Sequence, residues 1–195
     1  MSTSTTTSHL HAADEPELVR APAVTYASIR GSGAPGTDAF YRKKAFLSDV
    51  ARELSGGAAE PVIEILYWYP DGSAPVDIAD FYSVNPIPSL EYRVLALVPV
   101  GTTAGGLDAA RSAAASGSEI ATDDLELLSV PEHEVVQVMH HGPFADERAT
   151  LARLGELAGS RGVRRSGPHH ELHLDGFTRE TPQDTLRTIL RDPVA

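Results

Sequence analysis

Four residues recur across the chain in order and at nearly one interval. Pro22 and Gly33 return 109 positions on as Pro131 and Gly142, and Pro61 and Glu64 return 107 positions on as Pro168 and Glu171. Each sits in a matching succession of apolar runs and turn residues. The chain of 195 residues therefore reads as one supersecondary unit written twice. The slip of two positions falls in the loop after each unit's helix, where insertions are tolerated. Units this short bury little apolar surface alone, so the two copies are expected to share a core.

The first unit spans 16–100. A β-prone run at 24–30 is broken by Gly31-Ser32-Gly33-Ala34-Pro35-Gly36. Thr37 or Asp38 caps a helix carrying Phe40, Leu47, Val50 and Leu54, which Gly56-Gly57 ends. Strands are expected at 62–69, 78–84 and 92–98. A Gly-, Ala-, Ser- and Thr-rich linker follows over 101–124, with room for a short helix around Leu107–Arg111. The second unit, 125–195, repeats the pattern. Residues 126–130 lead to a strand at 135–139, and Asp146 caps a helix with Leu151, Leu154 and Leu157 that closes at Gly159 and Gly162. Strands then fall at 169–174 and 186–190. Residues 1–15 are polar and aperiodic and read as a disordered tail. The fold class expected is α+β: a tandem duplication of a strand-helix-strand-strand module with antiparallel sheets.

Composition narrows the function. The formal net charge of −11 repels phosphate backbones, so no nucleic-acid partner is expected, while cations are weakly favoured. The chain has no cysteine, which excludes disulfides and thiolate metal sites. It shows neither a secretory signal nor an apolar run of roughly 20 residues. A cytoplasmic protein without membrane association is expected, as monomer or homodimer.

The segment from His140 is more specific. It reads His140-His141-Gly142-Pro143-Phe144, then the helix, then Gly167-Pro168-His169-His170-Glu171-Leu172-His173-Leu174, and closes on Thr188-Ile189-Leu190-Arg191-Asp192-Pro193-Val194. This resembles the GyrI-like small-molecule-binding family, which includes the effector-binding domains of AraC- and MerR-type multidrug regulators. Members typically show a His-x-Gly-Pro-Tyr turn, a helix and a Gly-Pro-x-x-Glu-Ile-Tyr-Leu strand. The match is strong over 127–195, and over 17–100 it covers only the module outline, the Pro-to-Gly spacing and the strand glutamate. Phe144 and His173 stand where the family usually has Tyr, which removes two phenol hydroxyls. The resemblance implies a single domain over 16–195, with two modules about a pseudo-two-fold axis, a ligand cleft at their junction, and Glu171 reaching into it. Only about 20 residues precede the first strand. That is too few for a helix-turn-helix unit, so a stand-alone member is expected rather than a regulator.

Strand side chains alternate between faces. His169, Glu171 and His173 thus share one face, and Glu64 shares another with Leu66 and Trp68. If the modules are duplicates, the faces of Glu64 and Glu171 correspond. The candidate ligand-binding residues are Glu171, His173, His169, Glu64, Trp68, Tyr67, Tyr82, Phe144 and His141. A carboxylate on an apolar face needs compensation, from a cationic ligand or from an Arg or His neighbour. The aromatic rings either add walls and cation–π attraction or belong to the core. Same-face neighbours on a strand lie about 6.5–7 Å apart, so His169 and His173 are about 13 Å apart and the trio does not converge on one ion. No metal and no cofactor is expected.

The expected function is binding of a hydrophobic or aromatic small molecule, a drug, toxin or metabolite, with a cation favoured. Two alternatives stand beside it. Some stand-alone members that this chain resembles are hydrolases that open the cyclopropane ring of DNA-alkylating natural products, with Glu171 then the water-activating residue. A gyrase-inhibitor-like modulator of a protein partner is the other.

Overall fold

The computed structural model describes residues 7–57, 60–115 and 124–195. The first half supplies β1 (Glu17–Ala21), β2 (Val24–Ser32), α1 (Asp38–Ser55), β3 (Ile63–Trp68) and β4 (Glu91–Leu97). Helix α2 (Ala104–Ala114) follows. The second half supplies β5 (Glu126–Val130), β6 (His133–His141), α3 (Glu147–Arg161), β7 (His169–His173) and β8 (Arg187–Pro193). Local chemistry sets the helix ends. The Thr37 side chain accepts from Phe40 N at the start of α1, and Gly56 and Gly162 take left-handed conformations at the ends of α1 and α3. Asp146 makes no capping hydrogen bond; a 3-10 turn over Phe144–Asp146 leads into α3 instead, and Gly159 lies inside the helix.

The strands form one eight-stranded antiparallel sheet in the order β1-β6-β8-β7-β3-β4-β2-β5. Read from either edge, this order gives the same succession with the halves exchanged. A pseudo-two-fold axis therefore passes between β3 and β7, as expected of an α+β duplication. Each half also lends its first strand to the other: β1 pairs with β6, and β5 pairs with β2. These exchanged strands extend the strand-helix-strand-strand module expected from the sequence.

One face of the sheet carries the helices and the main core. Ile63, Ile65, Tyr67 and Val94 pack there with Phe40, Leu47 and Val50 of α1 and Leu151 and Leu154 of α3. On the other face, residues 7–15 of the segment expected to trail as a disordered tail are laid across the sheet, while residues 1–6 lie outside the described residues. His9 and Ala12 are buried, and Leu10 and Ala12 pack against Leu172 and Ile189. Arg191 and Gln137 are buried donors on that face, and the carbonyls of His9 and His11 accept from them at 2.8 Å and 3.1 Å. Buried donors need acceptors, and the backbone of this segment supplies them, a demand that its polar composition does not reveal.

Two further expectations change. Residues 78–84 form consecutive turns rather than a strand. Asp80 Oδ1 accepts from Asp77 N, Phe81 N bonds Ile78 O, and Ile78 and Phe81 are both fully buried at a helical i, i+3 spacing. The expected linker holds α2, whose Leu107 and Ala110 are buried in the core beside α1; residues 116–123 lie outside the described residues. No described helix is long and apolar enough to cross a membrane.

Candidate functional site

The centre of the sheet decides what each glutamate sees. β3 pairs with β7 so that Ile65 lies opposite Glu171 and Glu64 lies opposite Leu172. Directly opposed residues share a face, so the two glutamates point to opposite sides of the sheet. The registers of the two halves superpose only with Ile65 as the counterpart of Glu171, one position short of the interval that matched Glu64 to it. The shared face expected for Glu64 and Glu171 is thereby corrected: a one-residue shift moves a strand residue to the other side.

On the helix face, a cavity of about 540 Å³ opens over the axis. The first half lines it with Pro35, Phe40, Tyr41, Tyr67, Tyr82 and Ile87, and the second with Phe144, Glu147, Arg148, Glu171, His173, Phe177 and Gln183. Its volume falls in the range of small-molecule sites. Phe144, His173 and Phe177 form a ring cluster with centroids 4.8–5.4 Å apart, and Tyr67 and Tyr82 meet edge to face. Phe177 is fixed from behind by Lys44, whose Nζ sits 3.8 Å from its ring centroid.

Two carboxyl groups reach this void. Glu171 accepts from Tyr82 Oη, and His173 Nε2 stands 3.4 Å from its Oε2. That distance allows ion pairing, but the ring nitrogen is poorly aligned for a hydrogen bond. His169 Nε2 lies 3.9 Å away on the far side. Burial opposes a charge on Glu171, yet His173, His169 and Tyr82 together hold its pKa below the usual carboxylate range. Glu147, from the first turn of α3, lies against Glu171 closely enough to share a proton. Burial, and then the charge of Glu171, push its pKa well above the ordinary value. The pair therefore gives up its first proton more readily than its second, with Glu171 the side that favours the charge and Glu147 the side that favours the proton. Glu147 Oε1 is buried without a hydrogen-bond partner.

Of the residues singled out from sequence, Glu171, His173, Tyr67, Tyr82 and Phe144 line the cavity. Four do not. Glu64 is on the opposite face, accepting from His170 Nδ1 and Tyr26 Oη, each at 2.6 Å. Trp68 shares that face and donates to Glu91 Oε2. His141 is exposed and paired with Asp14. His169 is fully buried behind Glu171 and bonded to Asp192. Conversely, sequence reading missed Glu147, Tyr41 and Phe177. Glu147 had a signal: it stands one turn before Leu151, on the stripe that continues through Leu154 and Ala158, all buried. Among the described residues, no group of three or more His, Cys, Asp or Glu is arranged to hold a metal ion.

Comparison with known proteins fits this geometry. No curated protein matches the sequence. The crystal structure of an uncharacterized conserved protein from Listeria innocua aligns with a TM-score of 0.77 at 22% identity, over 94% of each chain. That of a hydrolase from Listeria innocua aligns with a TM-score of 0.74 at 21% identity, over 95% of this chain and 94% of the other. SAV2435, solved bound to tetraphenylphosphonium, aligns with a TM-score of 0.51 at 12% identity, over 93% of this chain and 94% of the other. The profile of the GyrI-like small molecule binding domain matches residues 14–194. With that match spanning both halves of the sheet and the cavity between them, the chain belongs to the GyrI-like family of small-molecule-binding domains.

Proposed function

We propose that the cavity binds an aromatic small molecule with a positive or electron-poor centre, and that the protein acts by sequestering such a drug, toxin or metabolite. The observation that carries this reading is a buried carboxylate, Glu171, facing a cavity walled by aromatic rings, with neighbours that hold its pKa below the usual carboxylate range. A cation placed there gains the Coulomb attraction that the low-dielectric surroundings amplify, and the rings add cation–π attraction of about 0.5–2 kcal/mol each. The binding of tetraphenylphosphonium, an aromatic cation, to the structural neighbour SAV2435 supports the choice of ligand class. Calorimetric titration with tetraphenylphosphonium tests it. Saturable binding is expected, weakened roughly 30–100-fold in Glu171→Gln, about 2–3 kcal/mol. Failure of the wild-type protein to bind this probe and a panel of other aromatic cations would overturn the proposal.

The unequal carboxyl pair favours a second reading, hydrolysis. Ionised Glu171 is a base and protonated Glu147 an acid in one water-sized neighbourhood, a division of labour that catalytic carboxyl pairs use. For a cyclopropanoid natural product, water would add to a ring carbon and give its proton to Glu171. The ring electrons would pass to the substrate's acceptor atom, which Glu147 protonates. A structural neighbour is a hydrolase. Ring opening that falls by roughly 10²–10⁴ in either Glu→Gln variant decides for catalysis; binding without turnover decides for sequestration. No observation favours the protein-partner reading, since Val84 and Val100 are the exposed large hydrophobic residues among those described.

A further inference from the structure

Behind Glu171, away from the cavity, two more ionisable groups are sealed into the sheet. His169 on β7 and Asp192 on β8 are both fully buried (0% exposure). His169 Nδ1 lies 2.9 Å from Asp192 Oδ2, while its Nε2 faces Glu171 Oε1 at 3.9 Å with no hydrogen-bond partner of its own. The imidazole is gripped by the rings of Phe81, 5.0 Å away, and Tyr82, 5.8 Å away and edge-on. The binding reading uses His169 only as one of the charges beside Glu171 and gives Asp192 no part.

The geometry favours one charge state. A carboxylate can only accept, so against it His169 Nδ1 carries the proton of that bond. In a neutral ring the Nε2 lone pair would then confront the Glu171 carboxylate between two buried groups, where screening is weak. A second proton turns that confrontation into attraction. Burial opposes the charge, but Asp192 and Glu171 outweigh burial and hold the His169 pKa above the usual histidine value; Arg165 pulls the other way. We propose that Asp192 and His169 form the positioning couple of the site: an imidazolium, clamped by Asp192, that orients Glu171 and maintains it as the cavity's anion. His169 touches no ligand and acts through Glu171. The inference rests on the reading of the cavity as a site built around that anion.

The other groups facing Glu171 are His173, Tyr82, Tyr67 and Glu147. They remain when the couple is broken, so the acid limb of cation binding should move without being abolished. Removing an opposite charge at this range raises a carboxyl pKa by about one to three units. Tetraphenylphosphonium affinity is therefore measured from pH 3 to 8 for the wild type, His169→Gln and Asp192→Asn, with thermal melts at each pH to show that each is folded. The expected result is an acid midpoint about one to three units higher in both variants. A uniform loss of affinity at every pH, with the midpoint unmoved, would mean that the couple is structural only. Nitrogen-15 NMR of the histidine rings gives a readout that needs neither a ligand nor a variant that folds: wild-type His169, assigned through its backbone, should be an imidazolium at neutral pH. A neutral ring overturns the proposal even if the probe binds. Absence of probe binding with His169 charged would instead defeat the ligand reading and leave the couple standing.

Discussion

Glu64 and Glu171 are the same residue type on neighbouring central strands, both nearly inaccessible at 3% and 6% exposure, and they lead opposite lives. Glu64 has a complete set of partners: hydrogen bonds from His170 and Tyr26, the Arg191 charge nearby, and the N-terminal segment closing over the cluster. Burial would push its pKa up, but those partners hold it at about 2. Glu171 has one well-formed hydrogen bond, two histidines at longer range, a second carboxyl group beside it, and a void in front. A buried charge whose partners are all supplied by the protein is part of the structure. One with looser partners, next to a like group and facing a cavity, has the surroundings in which functional carboxyl groups are found.

The contrast breaks most sharply at Glu64. Glu64→Gln removes the charge that His170 and Arg191 answer to, and breaking a buried pair costs about 3–5 kcal/mol. At about 2–4 °C per kcal/mol for a domain of this size, the melting temperature should fall roughly 6–20 °C, with tetraphenylphosphonium affinity in the surviving fold unchanged. The sign of the pH dependence follows. Because the folded-state pKa is depressed, the stability that Glu64 contributes is full above the unfolded carboxyl value and is lost as pH falls through about 2. The deficit of the variant should therefore shrink as melts are run toward pH 2. Glu171→Gln should do the reverse: less than half of that loss in stability, and the larger change in binding. Equal stability losses for the two variants would erase the distinction between them.

Glu147 offers a gentler test of the incomplete site. Its pKa is raised, first by burial and then by Glu171, so the folded protein retains a proton that the unfolded chain releases. Stability must then fall as pH rises above the unfolded carboxyl value. Glu147→Gln, which mimics the protonated form, should melt a few degrees higher than wild type at pH 8, with the gap closing toward pH 4.5. A parallel pH course for the two proteins would show that Glu147 is ionised in the fold.

How far the sequence discloses these roles depends on what each element answers to. The duplication, the helices and the antiparallel strands follow local rules of periodicity and capping, and Glu171 stands in a motif that announces it. The face of Glu64 does not, because a match by residue type at an interval of 107 ignores that pairing register decides sidedness, and register is settled only when β3 meets β7. Residues 9–13 look unstructured because their contribution is backbone carbonyls, which every residue carries. The turns over 78–84 look like a strand because Ile78, Phe81 and Tyr82 are β-formers; the burial of Ile78 and Phe81 on one side and the Asp80 hydrogen bonds decide otherwise. Phe177 follows a turn and shows its role only through the fold, where it closes the cavity against Lys44.

The smallest expected effect belongs to one of two adjacent histidines in the turn that delivers Phe144 and Glu147. His140 is buried, with Nδ1 2.9 Å from Thr150 Oγ1 and Nε2 3.1 Å from Pro143 O. It thus ties the turn to α3, and its neighbour His141 points outward to Asp14 at 2.8 Å. His140→Ala leaves Thr150 and Pro143 short of a partner, a loss of about 1–3 kcal/mol. It also loosens the segment that carries one wall of the cavity, so probe affinity should fall with stability. His141→Ala removes a solvent-exposed pair that salt already screens, and should change stability by no more than about 0.5 kcal/mol and affinity not at all. Melts and probe titrations of the two alanine variants, side by side, check both. If His141→Ala weakened the probe as much as His140→Ala, the motif would be acting through its exposed side chain, and the cavity on the helix face would not be the place where the ligand is held.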